Sequence, residues 1–199
     1  MTYSEALNFI INKQSLGIKP GLSRIKRDLQ KLGNPQDTYK TIHIAGTNGK
    51  GTVAASISDS LIKSGYKVGL FTSPWVTDYR EQIQINGKMI SKEAFADCVN
   101  TVKNMKSDCT EFECLSIIAF IYFATEKVDY AVIECGMGGN GDATNVEKEN
   151  LSVITSISID HTDFLGNTVK EIAEEKAGIL RKDSTCVLYN KELKKHFEK

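Results

Sequence analysis

The chain has 199 residues, with 25 Lys and Arg balancing 25 Asp and Glu, 41% hydrophobic residues and only 3 prolines. At roughly 100–200 residues per domain this length holds one domain, or one and part of a second. Zero formal net charge excludes a global field that would draw the molecule to nucleic acid or an anionic membrane, so any bound anion must be held locally.

The N-terminus lacks the basic patch and apolar run of a secretory signal. Thr2 and Glu5 have capping-box spacing, which predicts a short first helix. After Pro20 and Gly21, Leu22, Ile25, Leu29 and Leu32 fall on one helical stripe that Gly33 and Pro35 stop. The period then changes. Lys40–Ala45 is a β-branched run that enters a glycine-rich stretch at 46–51, and 52–64 reads as a helix: strand, loop, helix. Residues 68–71 form a second buried strand, followed by a polar, irregular segment at 72–81. Residues 82–90 alternate around Asn86 and Gly87, a hairpin signal. Helical patterns resume at 92–106 and 112–126. The apolar run within the second, 115–124, falls well short of the roughly 20 residues that a membrane span needs. A strand at 129–134 opens into a second glycine-rich loop at 136–141. Residues 151–159 read as a strand, Thr168 and Glu171 repeat the capping box at the head of a helix to about Leu180, and a strand at 185–189 precedes a helix at 191–199.

Apolar strands alternating with helices predict an α/β fold of three layers, an open and largely parallel sheet covered on both faces. Ligands of such sheets bind at the carboxyl ends of the strands. The loops at 46–51, 72–81, 135–145 and 160–166 all follow predicted strands and are expected to gather on one edge. The chain stops without a concluding signal, which reads as an incomplete domain. Cys98, Cys109, Cys114, Cys135 and Cys186 are odd in number and include no C-x-x-C pair, so buried free thiols in a reducing cytoplasm are expected rather than disulfides or zinc.

Gly46, Thr47, Asn48, Gly49, Lys50, Gly51 and Thr52 join a buried strand to a helix, where successive amides and the helix N-terminus form a cradle for phosphate. Lys50 is placed to meet the β- and γ-phosphate oxygens of a nucleotide, and the Thr52 hydroxyl is suited to a Mg2+ ligand. Gly51 separates lysine from hydroxyl, a departure from G-x-x-x-x-G-K-[ST].

The run from Ile42 to Thr52 resembles the P-loop of folylpolyglutamate synthases and dihydrofolate synthases, members of the Mur ligase superfamily. Upstream, Gly21–Ile25 and Leu32–Gln36 are similar to the family's opening segment. Downstream, Thr72–Pro74, Arg80 with Glu81, Ile85–Gly87, Thr110–Glu113, Glu134–Gly139, Asp142–Asn145, Asp160 with His161, and Glu175–Gly178 follow in the family's order. The resemblance covers nearly the whole chain. It implies the P-loop NTPase-like central domain of a Mur ligase, with residues 1–199 as its N-terminal portion and a glutamate-ligase domain lying outside the chain.

The implied reaction is an ATP-dependent amide ligation. ATP phosphorylates a carboxylate of folate, folylpolyglutamate or dihydropteroate, and the amine of L-glutamate then displaces phosphate from the acyl phosphate. The family resemblance makes Lys50, Lys176 and His161 catalytic, with Lys176 carbamylated by carbon dioxide. It makes Thr52, Ser73, Glu134 and His161 ligands of Mg2+, and Thr110, Phe112, Glu113 and Asp142 the pterin and folate pocket. Read from the residues alone, plainer roles stay open. Glu134 also reads as a salt-bridged strand end, Ser73 as a turn hydroxyl, Lys176 as a solvated helix lysine and His161 as structural. Thr110 also reads as a helix cap, Phe112 as core and Asp142 as a turn residue. His43 reads as a strand histidine and His196 as a surface one.

Trp75 stands where family members commonly have histidine, and Asn140 and Gly141 stand in a stretch that often carries arginine. The full-length enzyme is expected to be monomeric, with small-molecule partners only, and the 199-residue fragment alone catalytically silent. A cell-wall Mur ligase is the nearest alternative, but only about 45 residues precede Gly46, too few for a separate UDP-sugar domain. A nucleotide-binding module that activates no carboxylate is the alternative from another class.

Overall fold

β1 (Lys40–Ala45) is buried at every position after Lys40, as a strand covered on both faces must be. The computed structural model describes residues 1–19, 21–146, 150–182, 184–189, 191, 194 and 197. β5 (Tyr130–Glu134) and β6 (Asn150–Ile154) flank β1 in parallel. β2 (Val68–Phe71) extends the sheet beyond β5, and β7 (Cys186–Leu188) beyond β6, again in parallel. The hairpin of β3 (Ile83–Ile85) and β4 (Lys88–Met89) closes the far edge antiparallel, giving the order β4-β3-β2-β5-β1-β6-β7. Asn86 and Gly87 turn it with φ of 48° and 73°, the left-handed pair that a two-residue hairpin favours.

Side-chain alternation divides the sheet between two helical layers. On one face, α3 (Lys50–Lys63) lays Ile57 and Leu61 against Ile42, Ile44 and Val132. On the other, α1 (Tyr3–Ile11), α2 (Ser23–Lys31), α4 (Lys92–Asn104) and α5 (Glu111–Thr125) pack over Phe71, Ala131 and Ile133. α5 is apolar nearly all round because it lies in the middle of its layer, and among the described residues no helix is long and apolar enough to cross a membrane. A short α6 (Thr162–Leu165) leads to α7 (Val169–Ala177). The turn after α7 packs Ile179 with Ala45, Cys135 and Ile154.

Capping boxes form at Thr2 with Glu5 and at Thr168 with Glu171, as the spacing predicts. Two more close at Asp78 with Glu81 and at Thr110 with Glu113. Three boundaries differ from expectation, and so does one burial. α3 begins two residues early, because Gly49 in the left-handed region lets the helix start at Lys50. The strand expected to reach residue 159 ends at Ile154, since the chain after it turns onto the P-loop. α7 stops at Ala177, where Gly178 meets the second glycine-rich loop. Cys186, expected to be buried, lies half-buried on the edge strand, whereas the other cysteines are buried; all five are free thiols. Most of the helix expected at 191–199, with His196, lies outside the described residues.

Phe123 is fully buried, with its ring edge-on to Tyr39 at a centroid distance of 6.1 Å. Truncating it to alanine leaves a cavity where α5 meets the sheet, and Phe123→Ala is expected to lower unfolding free energy by about 3–5 kcal/mol in a urea titration.

Candidate functional site

Four loops leave the carboxyl ends of adjacent parallel strands and converge. Residues 46–49 follow β1, and α3 starts immediately after them with no side chain capping its N-terminus. The first-turn amides and the positive end of the helix dipole therefore face the loop, an arrangement suited to an anion.

The first half of this loop is held by the segment following β6. Thr47 N donates to Ser156 O at 2.7 Å, Asn48 N to Ser156 Oγ at 3.3 Å, and Ser158 N to Thr47 Oγ1 at 3.2 Å. Gly46 has φ of 148°, and a Cβ there would stand 1.8 Å from Thr155 Oγ1. No side chain fits. The amides of Thr47 and Asn48 are thus engaged within the protein, which leaves the amides around Gly49, Lys50, Gly51 and Thr52 as the cradle.

Two ammonium groups meet at one carbonyl. Lys50 Nζ donates to Gly46 O at 3.2 Å and to Thr47 O at 3.3 Å. Lys176 Nζ donates to the same Gly46 O at 2.9 Å. Lys176 is only 1% exposed, so it is no solvated helix lysine. Burial, followed by the charge of Lys50, holds its pKa below the usual lysine value. Close glycine packing seats it: a Cβ on Gly178 would fall 2.3 Å from Asn140 Cα, and Asn145 Nδ2 donates to both Asn140 O and Gly178 O. Asn140 N in turn donates to Glu175 O at 2.8 Å, so the stretch that departs from the family pattern docks the end of α7.

Glu134, at the end of β5, is 4% exposed. Its Oε2 accepts Ser73 N at 3.2 Å and would lie 3.3 Å from a Cβ on Gly51, so it forms the floor under Lys50, Gly51 and Thr52. Among the described residues it forms no salt bridge. Desolvation raises its pKa, opposed by the Ser73 amide and the Lys50 charge. A buried carboxylate beside the loops that carry the hydroxyls of Ser73 and Thr52 is a hard oxygen donor set, which fits Mg2+. His161 is the left-handed N-cap of α6, with its side chain 52% exposed and its Nε2 3.5 Å from Asp160 Oδ1.

The residues expected to form the substrate pocket gather in two places. Phe112 and Asp142 meet at Gly136, where a Cβ would lie 2.6 Å from the phenyl ring and 3.2 Å from Asp142 Oδ2. Phe112 also packs against Phe71, with ring centroids 5.8 Å apart. Thr110 and Glu113 cap α5, and Glu113 additionally accepts Arg24 Nε at 3.2 Å. The plainer reading of Thr110 therefore holds in the fold. Trp75 stands exposed on the loop after β2, with its ring 6.1 Å from that of Tyr79. Sequence reasoning missed Thr155, Ser156 and Ser158. Only the number of small hydroxyl residues after β6 could have pointed to them.

A carboxyl whose folded pKa is raised favours folding at pH below its unfolded value and loses that contribution as pH climbs through the folded value. At neutral pH, buried Glu134 is therefore a burden on the fold. Glu134→Gln is expected to melt at a higher temperature than the parent at pH 7.5 without added divalent cation, and this gain is expected to shrink on acidification, as read by differential scanning calorimetry.

Comparison with known proteins agrees with this geometry. The family model for the Mur ligase middle domain matches residues 44–198. The chain is 44% identical over 188 residues to dihydrofolate synthase/folylpolyglutamate synthase of Bacillus subtilis, a match covering 90% of this chain and 44% of that protein. It superposes on E. coli FolC in complex with DHPP and ADP with a TM-score of 0.93 at 31% identity, covering 99% of this chain and 48% of that one. It also superposes on an FPGS–AMPPCP–folate complex with a TM-score of 0.90 at 34% identity, covering 99% and 51%. The chain thus spans about half the length of the relatives it matches. The family model spans most of the residues described above, and the chain belongs to the Mur ligase middle domain family.

Proposed function

We propose that this chain supplies the nucleotide-binding half of an ATP- and Mg2+-dependent ligase that joins L-glutamate to folate or folylpolyglutamate, to dihydropteroate, or to both. The observation that carries this reading is the convergence of Lys50, Lys176 and Glu134 on one uncapped P-loop. The nucleotide and the DHPP or folate named in the complexes of similar proteins supply the substrate class.

Transfer of a phosphoryl group to a carboxylate crowds negative charge, so positioning and cationic stabilisation dominate. In this reading the amides from Gly49 to Thr52 hold the triphosphate, and the Lys50 ammonium swings from the Gly46 and Thr47 carbonyls to its terminal oxygens. Thr52, Ser73 and Glu134 would hold one Mg2+, with His161 contributing to a second. When bound, the ions supply positive charge to the transferring oxygens. Phe112 presents an apolar wall to a pterin ring, and Thr110, Glu113 and Asp142 complete the pocket.

Lys176 has the chemistry that carbamylation requires. Only a neutral amine attacks carbon dioxide, and burial beside Lys50 favours the neutral form. The carbamate would exchange a second cation for an anion, removing the repulsion from Lys50 and adding a ligand for the second Mg2+.

The test uses the full-length protein that contains this chain. Phosphate release is expected only when ATP, L-glutamate and a reduced folate or dihydropteroate are present together, and Lys50→Ala is expected to lower kcat by about a hundredfold or more. Separate assays with each acceptor assign the physiological reaction. ATP hydrolysis that ignores both acceptors would instead favour the switch-module alternative.

A further inference from the structure

His43 touches no part of the site described above, yet it is fully buried in β1, three residues before Gly46. Its Nε2 lies 2.8 Å from Thr144 Oγ1 and 3.1 Å from Cys135 Sγ. Thr144 Oγ1 lies 2.5 Å from Asp142 Oδ1. That oxygen also accepts Thr144 N at 3.0 Å, while Oδ2 accepts Met137 N at 2.8 Å.

The proton inventory constrains these bonds. An ionised carboxylate only accepts, and a threonine hydroxyl has one proton. Asp142 already accepts two backbone N–H groups and is the nearer acceptor for the hydroxyl, with Cys135 Sγ farther at 3.7 Å. The geometry therefore suits a hydroxyl that donates to Asp142 and accepts from His43 Nε2–H, although burial raises the Asp142 pKa. Burial, with a smaller contribution from Arg181, pushes the imidazole pKa down to about 3, so the ring is neutral, and the tautomer that completes this chain of bonds carries its proton on Nε2.

We infer that His43 is a positioning residue that acts through Thr144 on Asp142, fixing the 136–145 loop and with it the face that Phe112 and Asp142 present to a pteroate-class ligand. The inference rests on the proposed reading of that loop as the pterin wall. Strand β1 thereby sets two of the four converging loops: its carboxyl end becomes the P-loop, and its one buried imidazole orients the loop after β5. A polar ring inside a strand is costly unless its N–H is paired, and this pairing is directed at the carboxylate whose orientation shapes the loop.

The experiment compares full-length His43→Phe, which keeps ring volume but removes the donor, with Thr144→Val, the double variant, and His43→Gln, whose side-chain amide can reach the Nε2 position. Each single variant is expected to raise the KM for the pteroate substrate about tenfold while leaving the KM for ATP within twofold. The double variant should match the singles, and His43→Gln should return to within threefold of the parent. Additive losses, equal movement of both KM values, or failure of glutamine to restore would overturn the inference. Two readouts stand apart from turnover. Nitrogen-15 spectra of the parent must show the Nε2–H tautomer at His43, and amide exchange at Met137 and Thr144 must quicken about tenfold in His43→Phe. An Nδ1–H tautomer or unchanged exchange overturns the inference even if no variant turns over. Absence of pteroate-dependent turnover in the parent sinks the functional reading instead.

Discussion

Everything around the P-loop depends on one carbonyl oxygen that accepts two ammonium groups. Lys50 arrives from the start of α3 and Lys176 from the end of α7, and both bond to Gly46 O. A carbonyl has lone pairs for two donors, but the two charges repel. Contacts that carry no charge hold them together: the backbone approach of Gly178 to Asn140 and the bridging amide of Asn145. The fold thus holds concentrated positive charge beside the first amides of α3, and in the proposed reading an arriving polyanion would relieve a tension already present.

Glu134 is the counterpart on the other side of the loop. Its carboxylate lies under Gly51, close enough for its pKa to respond to Lys50 yet unpaired with it. Positive and negative groups therefore stand on opposite sides of one backbone turn instead of neutralising each other in a salt bridge. In the proposed reading a pre-formed ion pair would compete with both nucleotide and divalent cation, and separated charges would leave each free for its ligand.

Much of this was legible before any coordinates. The capping boxes at Thr2 and Thr168 and the hairpin at Asn86 and Gly87 are local chemistry, and they form where their spacing placed them. The strand–loop–helix pattern located the P-loop, because the change from twofold to helical periodicity is written in consecutive residues. The environment of Lys176 was not legible. Its neighbours Glu174 and Glu175 give it the composition of a solvated helix, and burial comes from Gly46, 130 residues away. The end of β6 was hidden for a similar reason. Thr155 to Ile159 retain an extended, half-apolar pattern, but their hydrogen bonds go to a loop more than 100 residues earlier. Distant partners leave no periodic trace.

That same long-range pairing has a consequence for biosynthesis. The P-loop motif leaves the ribosome early, but the seam that immobilises its first half needs Ser156 and Ser158, which are separated from Asn48 and Thr47 by 108 and 111 residues. Closure over such a span is entropically expensive and slow relative to local helix formation. A nascent chain that ends before β6 can wind the start of α3, but the first half of the P-loop acquires its partners only after translation has passed that strand.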